Sequence, residues 1–281
     1  MKNEIPPTVF HYTNHLAFTK ILEGREIWAH DSKLSNDRRE TDYASGLIAL
    51  ALEKISDDPG FDEHLGGIHG LIKEPFDPFR IRSLNEYLLI SSFSEESNLL
   101  SQWRAYAPEN GYSIGLETSK LISAAKLVGF SFGKVIYDFD LALGFFTKSL
   151  RSYLKECTSS CSREDSFDDR LGRFMSLIDS LLPLVKHESF SEEREWRLFR
   201  TGKMPDLKFY AGRRSLTPYA PINLASDGHI PLKKVIIGPS DDHHTLAVWT
   251  RTYLEGLGYR IDQKEIDGVR VVVSGSPYRL K

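Results

Sequence analysis

The chain has 281 residues, of which 41% are hydrophobic and 27% are charged, and its formal net charge at pH 7 is -3. This composition excludes wholesale disorder, and the length is sufficient for one large core. A net charge this small creates no strong field toward nucleic acid or an anionic membrane, although a local basic patch stays open.

The sequence contains no run that approaches the roughly 20 apolar residues of a membrane-spanning helix, so no membrane partner is expected. The first seven residues, Met1 to Pro7, lack the apolar segment of a secretion signal. The two cysteines, Cys157 and Cys161, are four residues apart, which predicts two free thiols on one helix face rather than a disulfide scaffold. A cytoplasmic location is therefore expected.

Hydrophobic periodicity predicts the elements in chain order. In the first part these are a strand at 9–13, a helix that ends at Gly24, a strand at 26–30, a helix at 43–55, a helical turn near 68–72, a strand at 87–93, a helix at 99–106 and a strand at 112–116. Next come a strand at 130–137, a helical pattern at 141–187 that breaks around 158–166, and strands at 195–199 and 217–224.

The end of the chain is predicted as a β-α-β unit, with a strand at 234–237, a helix at 245–257 and a strand at 259–262, and a last strand at 269–273. The strands do not alternate strictly with helices, which predicts an α+β fold with a mixed sheet. We expect a single domain over residues 1–281, with a helical insertion at 139–188.

A charged strand, predicted at residues 195–199 and preceded by more charge, is the most informative segment. If this segment is extended, Glu193, Glu195 and Arg197 share one face, while apolar side chains take the other. A solvated surface ion pair, which stabilises little, would explain the pattern. The alternative is a cleft in which neighbouring charges hold a working carboxylate ionised.

Other chemical signals are weaker. His11 lies in the first predicted strand, where a hydrogen-bonded structural histidine is the commoner case, and no histidine has metal-ligand spacing that predicts a site. The turn at 238–242 could bind phosphate at a helix start, but Ser240 and the following acids favour a helix cap. The sequence contains no Gly-x-Gly-x-x-Gly and no Gly-x-Ser-x-Gly segment.

Several short segments, spread over about residues 8–260, together resemble the bacterial domain of unknown function 2971 family. They are Phe10-His11-Tyr12-Thr13, Ile21-Leu22-Glu23-Gly24, Ile27-Trp28-Ala29, Leu34-Ser35-Asn36-Asp37, Ser92-Phe93-Ser94, Gln102-Trp103-Arg104-Ala105-Tyr106, Gly111-Tyr112, Glu193-Arg194-Glu195-Trp196-Arg197 and Ile237-Gly238-Pro239. This family name carries no activity.

The same order of segments resembles, more loosely, the ADP-ribosyltransferase-like folds. That resemblance implies a mixed, split β-sheet core and NAD as a substrate. It places His11 at the first site position, Ser92 or Ser94 at the second and Glu195 at the third, with Glu193 two residues earlier. The second position stays ambiguous, and residues 141–187 have no counterpart in the minimal fold.

The resemblance also implies roles. Glu195 would stabilise an oxocarbenium-like ribose, Glu193 would orient or deprotonate the acceptor, and His11 would bind the other ribose. The remaining residues implied in NAD binding are Tyr12, Phe93 and Trp103 for ring stacking, Arg38, Arg39 or Arg104 for the diphosphate, and Thr13, Ser92, Ser94 and Arg197. We expect Glu195→Gln to lower activity at least about a hundredfold with little loss of folding.

The macromolecular acceptor, a protein or a nucleic acid, is not defined by the sequence. Two other functions stay open. The first is a non-catalytic binding or sensor module of a bacterial defence or toxin system. The second is a metal-dependent hydrolase or nuclease in which His11, Asp37, Glu193 and Glu195 converge on a cation, although no metal site is predicted from spacing.

Overall fold

The structure is a computed structural model that describes residues 4–32, 39–72, 86–108, 110–160, 166–203, 207–211, 216–225, 228–262 and 268–276. Its strands are β1 Thr8–Thr13, β2 Glu26–Asp31, β3 Glu86–Ser94, β4 Tyr112–Glu117, β5 Ser131–Lys134, β6 Glu195–Lys203, β7 Lys208–Ala211, β8 Leu216–Asn223, β9 Leu232–Ile237 and β10 Arg270–Val273. Its α-helices are α1 His15–Gly24, α2 Arg39–Glu53, α3 Gly67–Ile72, α4 Leu100–Tyr106, α5 Thr118–Leu127, α6 Phe139–Ser160, α7 Phe167–Leu181 and α8 His243–Gly256.

The described strands form one mixed sheet in which β3 is the branching point. Along one edge β3 pairs with β6 over nine residues. Its other edge is shared, because β1 pairs with it at Ser94 and β2 pairs with it at Leu89 and Ile90. From there β1 continues to β4, β9 and β10, while β2 continues to β8 and β7. The sheet therefore divides between β1 and β2.

The two faces of the sheet are covered by different helices. On one face Leu89, Phe93 and Leu198 pack in a core with residues of α1, α5 and α8. On the other face Leu88 packs in a second core that α2, α6 and α7 build. The alternation of side chains along β3 and β6 thus sends every second residue toward the helices α2, α6 and α7.

The helices α6 and α7 lie in the chain between β5 and β6, which pair with each other. A helical segment between two adjacent strands is the position that the predicted insertion would take. Their buried side chains, such as Phe146 and Phe174, share a core with α2 and β3, so these helices belong to the packing of the sheet rather than to a separate body.

The predicted α+β class with a mixed sheet is confirmed, because β9 and β10 are parallel while the other named pairs are antiparallel. The predicted strand at 259–262 was wrong. Tyr259 N–H still donates to Leu254 of α8, Gly258 has a φ of 91°, and Ile261 makes only an isolated bridge to Val269. The β-α-β unit closes instead on β10.

The helix α5 and the strand β7 were not predicted. Only Thr118, Leu121 and Ala125 of α5 are buried, so its apolar pattern is too sparse to be recognised, and β7 is a four-residue strand with little burial. Among the described residues, no helix combines the length and the apolar character needed to cross a bilayer. Cys157 is a buried free thiol, whereas Cys161 lies outside the described residues.

Candidate functional site

The strands β1, β3 and β6 bring together three residues that were predicted from separate segments. His11 Nδ1 lies 3.0 Å from the Ser92 carbonyl oxygen, and the Ser92 side chain is close enough to the Glu195 carboxyl to lower its pKa. Ser92 faces Arg197 across the β3–β6 ladder, and Ser94 faces Glu195. We call this series of neighbouring residues, from His11 through Ser92 to Glu195, the junction.

The His11 ring has a defined tautomer when it is neutral. The Ser92 carbonyl can only accept, so Nδ1 carries the proton and Nε2 is left as an acceptor. Burial lowers the pKa of His11, and the hydrogen bond to the Ser92 backbone raises it only in part. The imidazole is therefore neutral at pH 7.

Glu195 belongs to a buried group of four charges, called the quartet: Glu193, Glu195, Lys186 and Arg197. The Arg197 guanidinium binds both carboxylate oxygens of Glu195, from Nε at 2.8 Å and from Nη2 at 2.9 Å. Lys186 Nζ lies 2.6 Å from Glu193 Oε2 and 3.4 Å from Glu195 Oε2. Two positive and two negative side chains thus balance each other.

The quartet decides the ionisation of Glu195, whose side chain is only 7% exposed. Burial alone would raise the pKa of this carboxyl, but the charges of Arg197 and Lys186, with hydrogen bonds from Arg197 and Ser92, outweigh burial and lower it to about 2. Glu195 is consequently an anion that takes up no proton near neutral pH.

The backbone around the quartet is also anchored. The Ser94 hydroxyl donates to the Glu193 carbonyl at 2.6 Å, and the Tyr137 hydroxyl accepts from the Glu195 N–H at 2.9 Å. Between the two glutamates Arg194 has a left-handed backbone, with a φ of 43°, and its side chain pairs with Glu96. Glu193 and Glu195 are therefore held by a turn followed by a strand, and β6 begins at Glu195 as predicted.

Most of the predicted NAD-binding side chains are buried rather than open to a ligand. Tyr12, Phe93 and Trp103 are 6%, 2% and 1% exposed, so a role in stacking on a ligand ring is not supported by their positions. Tyr12 instead donates to the Glu96 carbonyl and accepts from the Leu99 N–H. These rings hold the loop between β3 and α4.

The other predicted binding residues differ in position. Thr13, Ser94 and Arg197 are buried, and Arg104 is exposed in the last turn of α4. Arg38 lies outside the described residues, and nothing is described of the Arg39 side chain. The helix after the turn at 238–242 is capped by Asp242 rather than by the expected Ser240.

Sequence reasoning missed a cluster of aromatic side chains on β2, β7 and β8, beside the division of the sheet. The Trp28 ring centroid lies 4.1 Å from that of Tyr219 and 5.2 Å from that of Tyr210. His30 joins this cluster, and its pKa is lowered to about 4, mainly by burial and also by electrostatic repulsion from His11 once both rings are protonated. The electrostatic effect of His11 on His30 places the cluster near the junction.

His30 and Lys186 gave little signal in the sequence. Trp28 and His30 alternate with Ile27 and Ala29, so the sequence does show two rings on one face of a strand. The strands β8 and β7, which carry the other rings of the cluster, follow about 180 residues later in the chain and could not be linked to them. Within the ranges that the structure describes, no group of three or more His, Cys, Asp or Glu side chains could hold a metal ion. Asp37, the fourth candidate ligand, lies outside them.

A comparison with protein families finds one match, to the family described as Protein of unknown function (DUF2971), over residues 102–198. No curated protein and no solved structure matches the chain. The matched segment is about a third of the 281 residues and contains Trp103, Lys186, Glu193, Glu195 and Arg197 but neither His11 nor Ser92. Over that segment, the chain is similar to the DUF2971 family.

Proposed function

We propose that the chain transfers ADP-ribose from NAD⁺ to a protein or nucleic-acid acceptor, with the junction as its site. The observation that carries this proposal is the contact chain from His11 through Ser92 to Glu195, in which three separate strands contribute one residue each. Its position beside the division between β1 and β2 adds support, because an opening between strands gives a ligand access to backbone that a continuous sheet would cover.

In the proposed reaction the bond between ribose C1′ and the nicotinamide nitrogen breaks, and its electron pair leaves with neutral nicotinamide. The acceptor then bonds to C1′ and releases a proton. Positive charge develops on the ribose as the first bond breaks, as in glycoside cleavage. A fixed anion next to that ribose stabilises the transition state, and the lowered pKa of Glu195 supports this role.

The remaining roles follow from hydrogen-bonding capacity. His11 Nε2 accepts from a ribose hydroxyl, because Nδ1 is committed to the Ser92 carbonyl. The exposed Ser92 hydroxyl connects the ligand with the buried Glu195. Glu193, which is close to the surface, takes the acceptor proton. The partly exposed Trp28 and Tyr210 rings replace the buried aromatic residues as the surface against which the nicotinamide stacks.

The test is nicotinamide release from NAD⁺ in the presence of cell extract. We expect release by the purified chain and a decrease of at least about a hundredfold in Ser92→Ala and Glu195→Gln. Glu192→Gln is the matched control, because Glu192 is an exposed glutamate of the same segment, and it should keep full activity. Release that is equal in Ser92→Ala, Glu195→Gln and the control would refute the assignment.

The structural role of the quartet favours a second candidate, a non-catalytic binding module. Each charge of the quartet has an oppositely charged partner within it, which is sufficient to explain these residues without a ligand. In that case no extract supports nicotinamide release, and Glu195→Gln changes only stability. A folded wild-type chain that releases no nicotinamide in any extract, yet retains one partner in pull-downs, would decide for this candidate.

A further inference from the structure

A basic groove runs along the outer face of α6, away from the residues of the junction. Lys148, Arg151 and Lys155 follow each other at intervals of three and four residues, so they lie on one side of the helix. At a rise of about 1.5 Å per residue they span roughly 10 Å. Lys54, just after α2, completes the lining of a cavity of about 530 Å³.

The positive charges of this groove are poorly balanced. Arg151 Nε donates to Asp58 Oδ2 at 2.8 Å, but its Nη groups have no partner among the described residues. Lys54, Lys148 and Lys155 make no ion pair with any carboxylate in the same part of the chain. Four cations therefore face one carboxylate, in a chain whose formal net charge is -3. A bound polyanion would relieve the repulsion among them.

A second cavity of about 640 Å³ adjoins the first, and Arg151 and Lys155 line both. Its other lining residues include Pro59, Leu154 and Thr158, so an apolar wall with a hydroxyl lies directly beside the cations. The loop that carries Pro59 lies close to α6, since a Cβ on Gly60 would be 2.9 Å from Thr158 Oγ1.

We infer that this groove binds a nucleoside di- or triphosphate. The phosphates lie against Lys54, Lys148, Arg151 and Lys155, and the base enters the adjoining cavity. Both volumes are in the range of small-molecule sites, about 300–1,000 Å³. The span of roughly 10 Å along α6 suits a short phosphate chain, and the negative net charge of the chain disfavours a long nucleic acid over a small anion.

The test is isothermal titration of the full chain with ATP, tripolyphosphate, adenosine and a twelve-nucleotide oligo-dT, each without NAD⁺. We expect ATP to bind more tightly than tripolyphosphate, because the base adds contacts, and adenosine to bind weakly. In Lys148→Gln/Lys155→Gln, ATP affinity should fall at least about tenfold, because two charge-assisted contacts with the phosphates are lost. Binding should also weaken as salt is raised.

The matched control is Lys126→Gln/Lys203→Gln, which removes the same charge from two exposed lysines elsewhere and should change ATP affinity less than twofold. An equal loss in both double variants, tight binding of the oligonucleotide alone, or no binding of ATP would overturn the inference. Nicotinamide release should be unchanged in Lys148→Gln/Lys155→Gln, so the outcome for the groove is separate from the outcome for the junction.

Discussion

Removal of one charge from the quartet should destabilise the chain, which revises the expectation that Glu195→Gln leaves folding nearly unchanged. The substitution leaves two cations and one carboxylate in the quartet, and it removes the charge of Glu195 that Arg197 binds. Deletion of one member of a buried pair costs about 3–5 kcal/mol. The pKa of Glu195 gives a similar value, since a decrease from 4.5 to about 2 corresponds to about 3 kcal/mol.

A double-mutant cycle with Arg197→Gln isolates this electrostatic contribution. Each single variant should lower the free energy of unfolding by about 3 kcal/mol, measured by urea denaturation at pH 7. The double variant keeps the balanced pair of Lys186 and Glu193, so we expect it to cost about 2 kcal/mol less than the sum of the single variants. Single variants within about 0.5 kcal/mol of the wild type, or strict additivity, would refute the reasoning.

The pH dependence supplies an internal control for this cycle. The pKa of Glu195 is lower in the folded chain than in the unfolded chain, so its stabilisation is complete above pH 4.5 and is lost as the pH falls toward 2. The difference in stability between the wild type and Glu195→Gln should therefore shrink over that interval. A difference that stays constant from pH 5 to pH 3 would show that lost packing, rather than lost charge, causes the destabilisation.

Three further predictions concern single residues. Because burial lowers the pKa of His30 to about 4, the unfolded chain binds more protons between pH 6.5 and pH 4, and the urea midpoint should fall over that window; a fall of the same size in His30→Phe would contradict this source. At pH 7 His30→Phe should be as stable as the wild type or more stable, by up to about 1 kcal/mol, because His30 Nε2 is buried without a hydrogen-bond partner among the described residues; a loss above about 1 kcal/mol would count against it. Gly111→Ala should lower the thermal midpoint, since the new Cβ would lie 2.6 Å from the Ala107 carbonyl oxygen. Gly46→Ala on α2 is the control, because the new Cβ meets open space there; it should stabilise the chain by about 0.5–1 kcal/mol and raise the midpoint. Equal midpoints in the two variants would refute the clash at Gly111.

Local patterns were sufficient to predict most elements of the fold, because burial of one face imposes a clear period. The helix α6 was predictable for this reason, because its apolar residues recur at three to four positions, whereas β3 was recognised as a short apolar run that packs on both faces. The pairing of β3 with both β1 and β2 could not be predicted, because it joins residues that are far apart in the sequence. Phe10 pairs with Ser94 and His30 pairs with Ile90, and no local pattern encodes such contacts.

The candidate site was predictable only where one strand carried it. The alternation of Glu193, Glu195 and Arg197 marked them as neighbours on one face, and Arg197 does bind Glu195. Lys186 could not be found in this way, because it reaches the glutamates from the segment that follows α7 and the pattern there is apolar. The sequence shows that Tyr12, Phe93 and Trp103 are aromatic, but whether each ring faces a ligand or the core depends on tertiary packing, and all three are buried.

The position of Lys186 connects the helical layer with the proposed chemistry. A carboxylate bound by Arg197 and Lys186 is strongly acidic, so Glu195 can stabilise positive charge but is a poor base near neutral pH. In the proposed reaction we therefore assign proton removal from the acceptor to Glu193, whose side chain is 13% exposed against 7% for Glu195. Because Lys186 contacts both glutamates, the proposed division of roles depends on Arg197, which binds both carboxylate oxygens of Glu195, and on the greater exposure of Glu193.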